Sequence, residues 1–189
     1  MTRARDIANF GDGIATADID DGAVTAAKLF SGFANGITEA DAWRLAATAT
    51  GITSFLVLDA NWERVDTAGF GKIGTGMSEA SGVFTFPSTG HWLIQCQIYY
   101  RASGGTNAFF EGYIQTTTDN STWLTASAII DGGQSSNDYG GMYGSIIFDV
   151  TSTTTHKFRL AAASQTSAQA NGDTGTTYTG LTFIRLGDT

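Results

Sequence analysis

The sequence predicts an all-β sandwich. Runs of alternating or wholly apolar residues, each a few residues long, recur between turn residues from Ile52 onward, a spacing that suits short antiparallel strands. The chain holds 24 glycines and one proline, so tight turns are many and polyproline linkers are absent. Helix signals are confined to residues 1–50, as short helices, and are clearest over Thr38–Ala49.

The strands are organised around Ser81–Arg101, SGVFTFPSTGHWLIQCQIYYR. A short strand over Val83–Phe86 meets the lone proline, Pro87, at its end, where no ladder hydrogen bond is lost. A long strand leaves the Ser-Thr-Gly turn. Trp92, Ile94, Cys96, Ile98 and Tyr100 share its continuously apolar face, and Leu93, Gln95, Gln97 and Tyr99 share the other.

Before this hairpin, residues 1–50 form a distinct N-terminal segment. Its apolar residues Ile7, Phe10, Ile19, Val24 and Leu29 are too sparse to make a core and need another chain to cover them. Thr38 is placed to cap a short helix over Ala40–Ala49, with Glu39 and Asp41 in its first turn and Gly51 closing it. The expected domain therefore spans 51–189. Its strands begin with Ile52–Leu58 and Asn61–Val65, followed by Phe70–Ile73 and Met77 between glycines. After the central hairpin come Asn107–Thr117, Trp123–Ile130, Tyr139–Val150 with glycines that suggest a bend or bulge, His156–Ala163, and Tyr178–Leu186. Asp131–Asp138 and Ser164–Thr176 read as polar loops.

Two stretches resemble known families. F-T-F-P-S-T-G-H-W over Phe84–Trp92, with the closing strand YTGLTFIRLG over Tyr178–Gly187, resembles the early and last strands of the globular head of complement and of tumour-necrosis-factor-like domains. It also resembles phage fibre proteins of that jelly-roll type. The resemblance implies a jelly-roll β-sandwich that assembles as a homotrimer, preceded here by an irregular, partly helical segment. ADIDDGAVTAAKLF over Ala17–Phe30 resembles the I-x-D-G-A-V-T-x-A-K-L units of phage tail-fibre stalks and attachment regions.

The last strand is apolar on both faces and so requires two cores. Tyr178, Gly180, Ile184 and Leu186 are expected in the sandwich interior. Leu181 and Phe183, with Phe55, Val57 and Tyr99, are expected at the trimer interface.

Chemistry is sparsely represented. Eighteen acidic against ten basic residues give a net charge of −8, which disfavours nucleic acid. The one cysteine excludes an intrachain disulfide, and its place on the apolar face of its strand makes it a small buried hydrophobe. His91 and His156 have no second ligand at metal spacing. Asp119-Asn120-Ser121 and Asp131…Asp138 read as turn caps rather than calcium loops. Gly69-x-Gly71-x-x-Gly74 lacks the strand–helix context of a dinucleotide site. No catalytic, cofactor or metal site is expected, and the chain is read as a non-enzyme.

Exposed aromatics near loops, Trp62, Trp123, Tyr139 and Tyr143, are the candidates for surface binding, with a host-surface glycan as the candidate ligand. No apolar run is long enough to span a bilayer. MTRARDIANFGDG lacks the apolar core of a secretory signal, so release in a virion is expected. The sequence therefore reads as a phage structural protein, a trimeric tail-fibre or fibre-tip component. Its N-terminal segment would dock on other virion proteins and its head on the host. A capsid decoration or head-fibre protein, and a sugar-binding module of a secreted protein, are the alternatives.

Overall fold

The computed structural model describes residues 36–189. Ile37–Thr189 forms one unit, built from strands alone: β1 (Ala40–Leu45), β2 (Ala47–Ile52), β3 (Leu56–Val57), β4 (Trp62–Arg64), β5 (Ser78–Ala80), β6 (Val83–Thr85), β7 (Gly90–Ala102), β8 (Asn107–Thr117), β9 (Leu124–Gln134), β10 (Tyr139–Val150), β11 (Lys157–Ser164), β12 (Ala168–Asp173) and β13 (Gly180–Gly187). They form two antiparallel sheets. Sheet A runs β2-β12-β7-β13-β1-β4, with β10 on the free side of β7; sheet B runs β5-β6-β11-β8-β9, with β3 also on β11.

The alternation along β7 sets the core. Trp92, Ile94, Cys96, Ile98 and Tyr100 are all buried. From sheet B, Phe84, Phe110, Ile114, Phe158 and Leu160 meet them. Aromatic rings fill the centre: Phe84 packs on Trp43, Trp62, Phe158 and Phe183 with centroids 5.4–5.9 Å apart, within the range of favourable edge and tilted contacts.

The stretch read as a helix, Ala40–Ala49, is strand β1 and the start of β2. The sandwich therefore begins before the junction expected at residue 50. Asp41, Trp43 and Leu45 alternate inward, and β1 is claimed on both sides by β13 and β4, so ladder pairing overrides a weak helical preference. Asp41 is 3% exposed and ties the sheet edge together. Its carboxylate accepts from the Trp43 indole at 2.9 Å, from Arg64 Nε at 3.0 Å and from the Met77 amide at 2.8 Å. The loop expected over Ser164–Thr176 contains β12. The glycines of β10 mark neither bend nor bulge, for β10 pairs with β7 residue for residue from Tyr139 to Val150. They make room: a Cβ on Gly144 would lie 2.8 Å from Ile129, and one on Gly140 would strike the Tyr100 ring.

The last strand is turned over relative to expectation. Leu181 pairs with Cys96 and Phe183 with Ile94, which points both inward. Phe183 is 0% exposed within one subunit and packs on Phe84, Phe86 and Phe158. Neither residue can belong to an interface. Ile184 is half-buried and Leu186 exposed on the outer face. Phe183→Ala should therefore lower subunit stability by about 3–5 kcal/mol through loss of burial and the cavity left behind, as measured by urea unfolding. A loss below about 1 kcal/mol would show that the ring is not central.

Candidate functional site

The outer face of sheet A carries the features that need an explanation. Because β10, β7, β13 and β1 are in register, cross-strand rows can be followed over it. Next to the Asp149–His91 pair at the start of β7 the face is aliphatic: Ile147, Leu93, Ile184 and Ala40 stand side by side, and an isolated bridge adds Ile73. Ile147 is 65% exposed. The next row, Ser145, Gln95 and Thr182, is polar.

Toward the end of β7 the face becomes tyrosine-rich. Tyr99 stacks on Tyr139 at 5.4 Å and on Tyr178 at 5.5 Å, with planes 6° and 24° apart. The Arg101 guanidinium lies 5.6 Å from the Tyr139 ring. Beside these rings is a shallow hollow of about 260 Å³, walled by Tyr99, Tyr139 and Tyr178 on one side and by Thr48, Asn171 and Asp173 on the other.

A second uncovered region adjoins this face. β9 and β10, the edge strands of the two sheets, lie next to each other. Their core-facing residues Ile129, Met142, Ile146 and Phe148 are only partly buried, and Ile130 is 64% exposed. Both strands thus leave long unpaired edges, which single subunits usually shield.

The structure divides the expected site residues. Among the surface-binding candidates, Tyr139 and Tyr143 are exposed on the outer face of sheet A, with Gln95 donating to the Tyr143 hydroxyl. Trp62 is instead in the core, its indole donating to the Leu58 carbonyl at 2.6 Å and its ring on Phe84. Trp123 is half-buried on sheet B with Arg159 4.2 Å above its ring. The five interface candidates share no surface. Tyr99 is on the outer face of sheet A, whereas Leu181 and Phe183 are inside. Val57 pairs with Ala161 and Phe55 packs on Tyr113, which places both on sheet B. The attachment candidates Ile7, Phe10, Ile19, Val24 and Leu29 lie outside the described residues. Sequence reasoning missed Ile147, Leu93 and Ile184 as one row, because only the pairing register joins them. It also missed Asn171 and Asp173, which sat in an expected loop.

The polar side chains singled out in the sequence are structurally engaged. Asp119 Oδ1 accepts from the amides of Ser121 and Thr122 at 2.8 and 2.7 Å, which holds its carboxyl well below the usual range. Both nitrogens of His156 meet threonine hydroxyls, and His91 Nδ1 meets the Asp188 carbonyl. Among the described residues no group of three His, Cys, Asp or Glu side chains is placed to hold a metal ion.

No family model matches the sequence, and no curated protein matches it. Solved structures do match. A tumour necrosis factor, Eiger from S. frugiperda, aligns over 82% of this chain and 96% of its own at a TM-score of 0.61 and 13% identity. Murine APRIL aligns over 78% of this chain and 98% of its own at a TM-score of 0.56 and 13% identity. The described part of the chain has the tumour-necrosis-factor-like jelly-roll fold. Identity this low extends to the fold alone.

Cys96 is sealed in the core, and burial pushes its thiol up to about 12, with the Gly144 backbone opposing in part. The thiol stays protonated and inert at neutral pH. Iodoacetamide at mildly alkaline pH should therefore label it only after denaturant is added. Rapid labelling of the native protein, followed by mass spectrometry, would contradict this.

Proposed function

We propose that the chain is a homotrimeric structural protein of a bacteriophage virion, a tail-fibre or fibre-tip component. Its jelly-roll head meets the host surface, and the residues before Ile37 join it to other virion proteins. The observation that carries the trimer is the uncovered aliphatic row of sheet A beside the open β9–β10 edge. Apolar side chains grouped on one sheet face beside an open edge mark an interaction surface. The two surfaces differ, one a sheet face and the other a sandwich edge. Edge-to-face contact between copies is therefore heterologous and closes into a ring, for which three subunits suit the head resemblance. The stalk-like unit at Ala17–Phe30 supports the virion part of the reading.

Ile147→Asp places a charge within the aliphatic row, where its desolvation against the neighbour's apolar edge opposes association. The variant should sediment as a monomer at micromolar concentration, with the β-rich circular dichroism of the parent. A variant that remains trimeric would remove this face from the interface.

Deleting residues 2–36 should give a folded head that no longer enters particles. Imaging of intact virions should find the full chain at fibre tips. Normal incorporation of the truncated protein would place attachment elsewhere.

A further inference from the structure

We infer that the hollow bounded by Tyr99, Tyr139, Tyr178, Thr48, Asn171 and Asp173 binds one neutral hexopyranose residue of a host-surface glycan. This deepens the reading of the head as a host-contacting domain and rests on it.

The hollow is built by a distortion of the sheet. β12 shifts register against β2 twice between Ala168 and Asp173. Gly172 sits where a Cβ would run into the Ala47 and Leu45 carbonyl oxygens, and its amide is held by Thr48 Oγ1 at 3.2 Å. Bulges of this kind re-aim side chains beside binding sites, and here Asn171 and Asp173 come to face the tyrosines.

Their polar atoms are fixed and incompletely used. Asp173 Oδ1 accepts from the amides of Gly175 and Thr176 at 2.7 and 2.8 Å, which locks the carboxylate and leaves Oδ2 to a ligand. Asn171 Oδ1 accepts from Gln169 at 3.2 Å, which sets its amide NH₂ as a donor. A fixed acceptor beside a fixed donor matches two neighbouring hydroxyls of a sugar ring. Tyr178, 41% exposed at the end of the stack, offers a rigid aromatic surface to the C–H face of that ring at low entropic cost.

The same groups select among ligands. The Asp173 carboxylate repels an acidic sugar. Arg101, the nearby cation, lies on Tyr139 and donates to Asn137 Oδ1 at 2.7 Å, and it does not line the hollow. A volume of about 260 Å³ is just below the usual range for ligand sites and suits no more than a single ring. The polar row Ser145, Gln95 and Thr182 separates the hollow from the aliphatic row assigned to the trimer.

The test uses the full chain with methyl α-D-glucopyranoside, methyl α-D-mannopyranoside, methyl β-D-galactopyranoside and N-acetylneuraminic acid. Binding is read by saturation-transfer NMR and titration. At least one neutral glycoside should bind. Its dissociation constant should rise about tenfold or more in Tyr178→Ala and in Asp173→Asn, with sedimentation unchanged. The inference is overturned if no neutral glycoside binds, if the acidic sugar binds best, or if affinity survives both substitutions. Loss of the trimer in Tyr178→Ala overturns it too, since the hollow would then be an interface. Binding of the same chain to envelopes of the host bacterium is measured in parallel. Envelope binding without glycoside binding sinks the hollow alone; absence of both sinks the host-contact reading with it.

Discussion

The register of β7 is the constraint on which the rest of the head depends. β10 lies on one side of it for twelve consecutive residue pairs, and β13 and β12 share the other side. Side chains alternate strictly along a strand, so a slip of one residue in any of these pairings would exchange its two faces. Trp92 and Tyr100, both fully buried, make such a slip costly because each would have to enter water. With β7 fixed, Phe183 is forced against Ile94 and Leu181 against Cys96. The interior of sheet A then follows strand by strand outward to β1 and β4.

That chain of dependence explains what was legible in the sequence. β7, β8 and β10 were readable within a residue or two, because an apolar residue alternates with a polar one or stands among strong turn signals. The two apolar faces of β13 were equally visible, but nothing local distinguishes Leu181 and Phe183 from Ile184 and Leu186. The choice is made by a partner strand more than eighty residues earlier. β1 shows the opposite failure. Thr38, Glu39 and the alanines give local helix signals, while the alternation of Asp41, Trp43 and Leu45 was the competing sign. Three inward residues did not outweigh capping chemistry until both neighbouring strands were known.

β12 was missed for a related reason. AQANGD carries small and polar residues, and its inward positions are only Ala168 and Ala170. Alanine buries little area, so the strand gains little from the hydrophobic effect and is held chiefly by backbone pairing to β2 and β7. Small side chains are what this position allows. The register shifts bring the β2 and β12 backbones close at Gly172, and a bulky residue would separate them. The segment looked like a loop because it was selected for closeness rather than for burial.

The contrast along the outer face of sheet A has the same origin. Since alternation commits the even residues of β7 to the core, its odd residues are free of core demands and can differ from one end to the other. At Leu93 they join isoleucines on β10 and β13, side chains with nothing to offer but area. At Tyr99 they join tyrosines, whose rings have area but whose hydroxyls need polar surroundings. A surface designed only to be buried by a copy of itself would gain nothing from Asn171, Asp173 and an arginine laid on a tyrosine. A surface designed only for ligand would not leave Ile147 bare. The outer face of sheet A thus changes character along a single strand direction, and the polar row at Gln95 is where aliphatic side chains give way to aromatic ones.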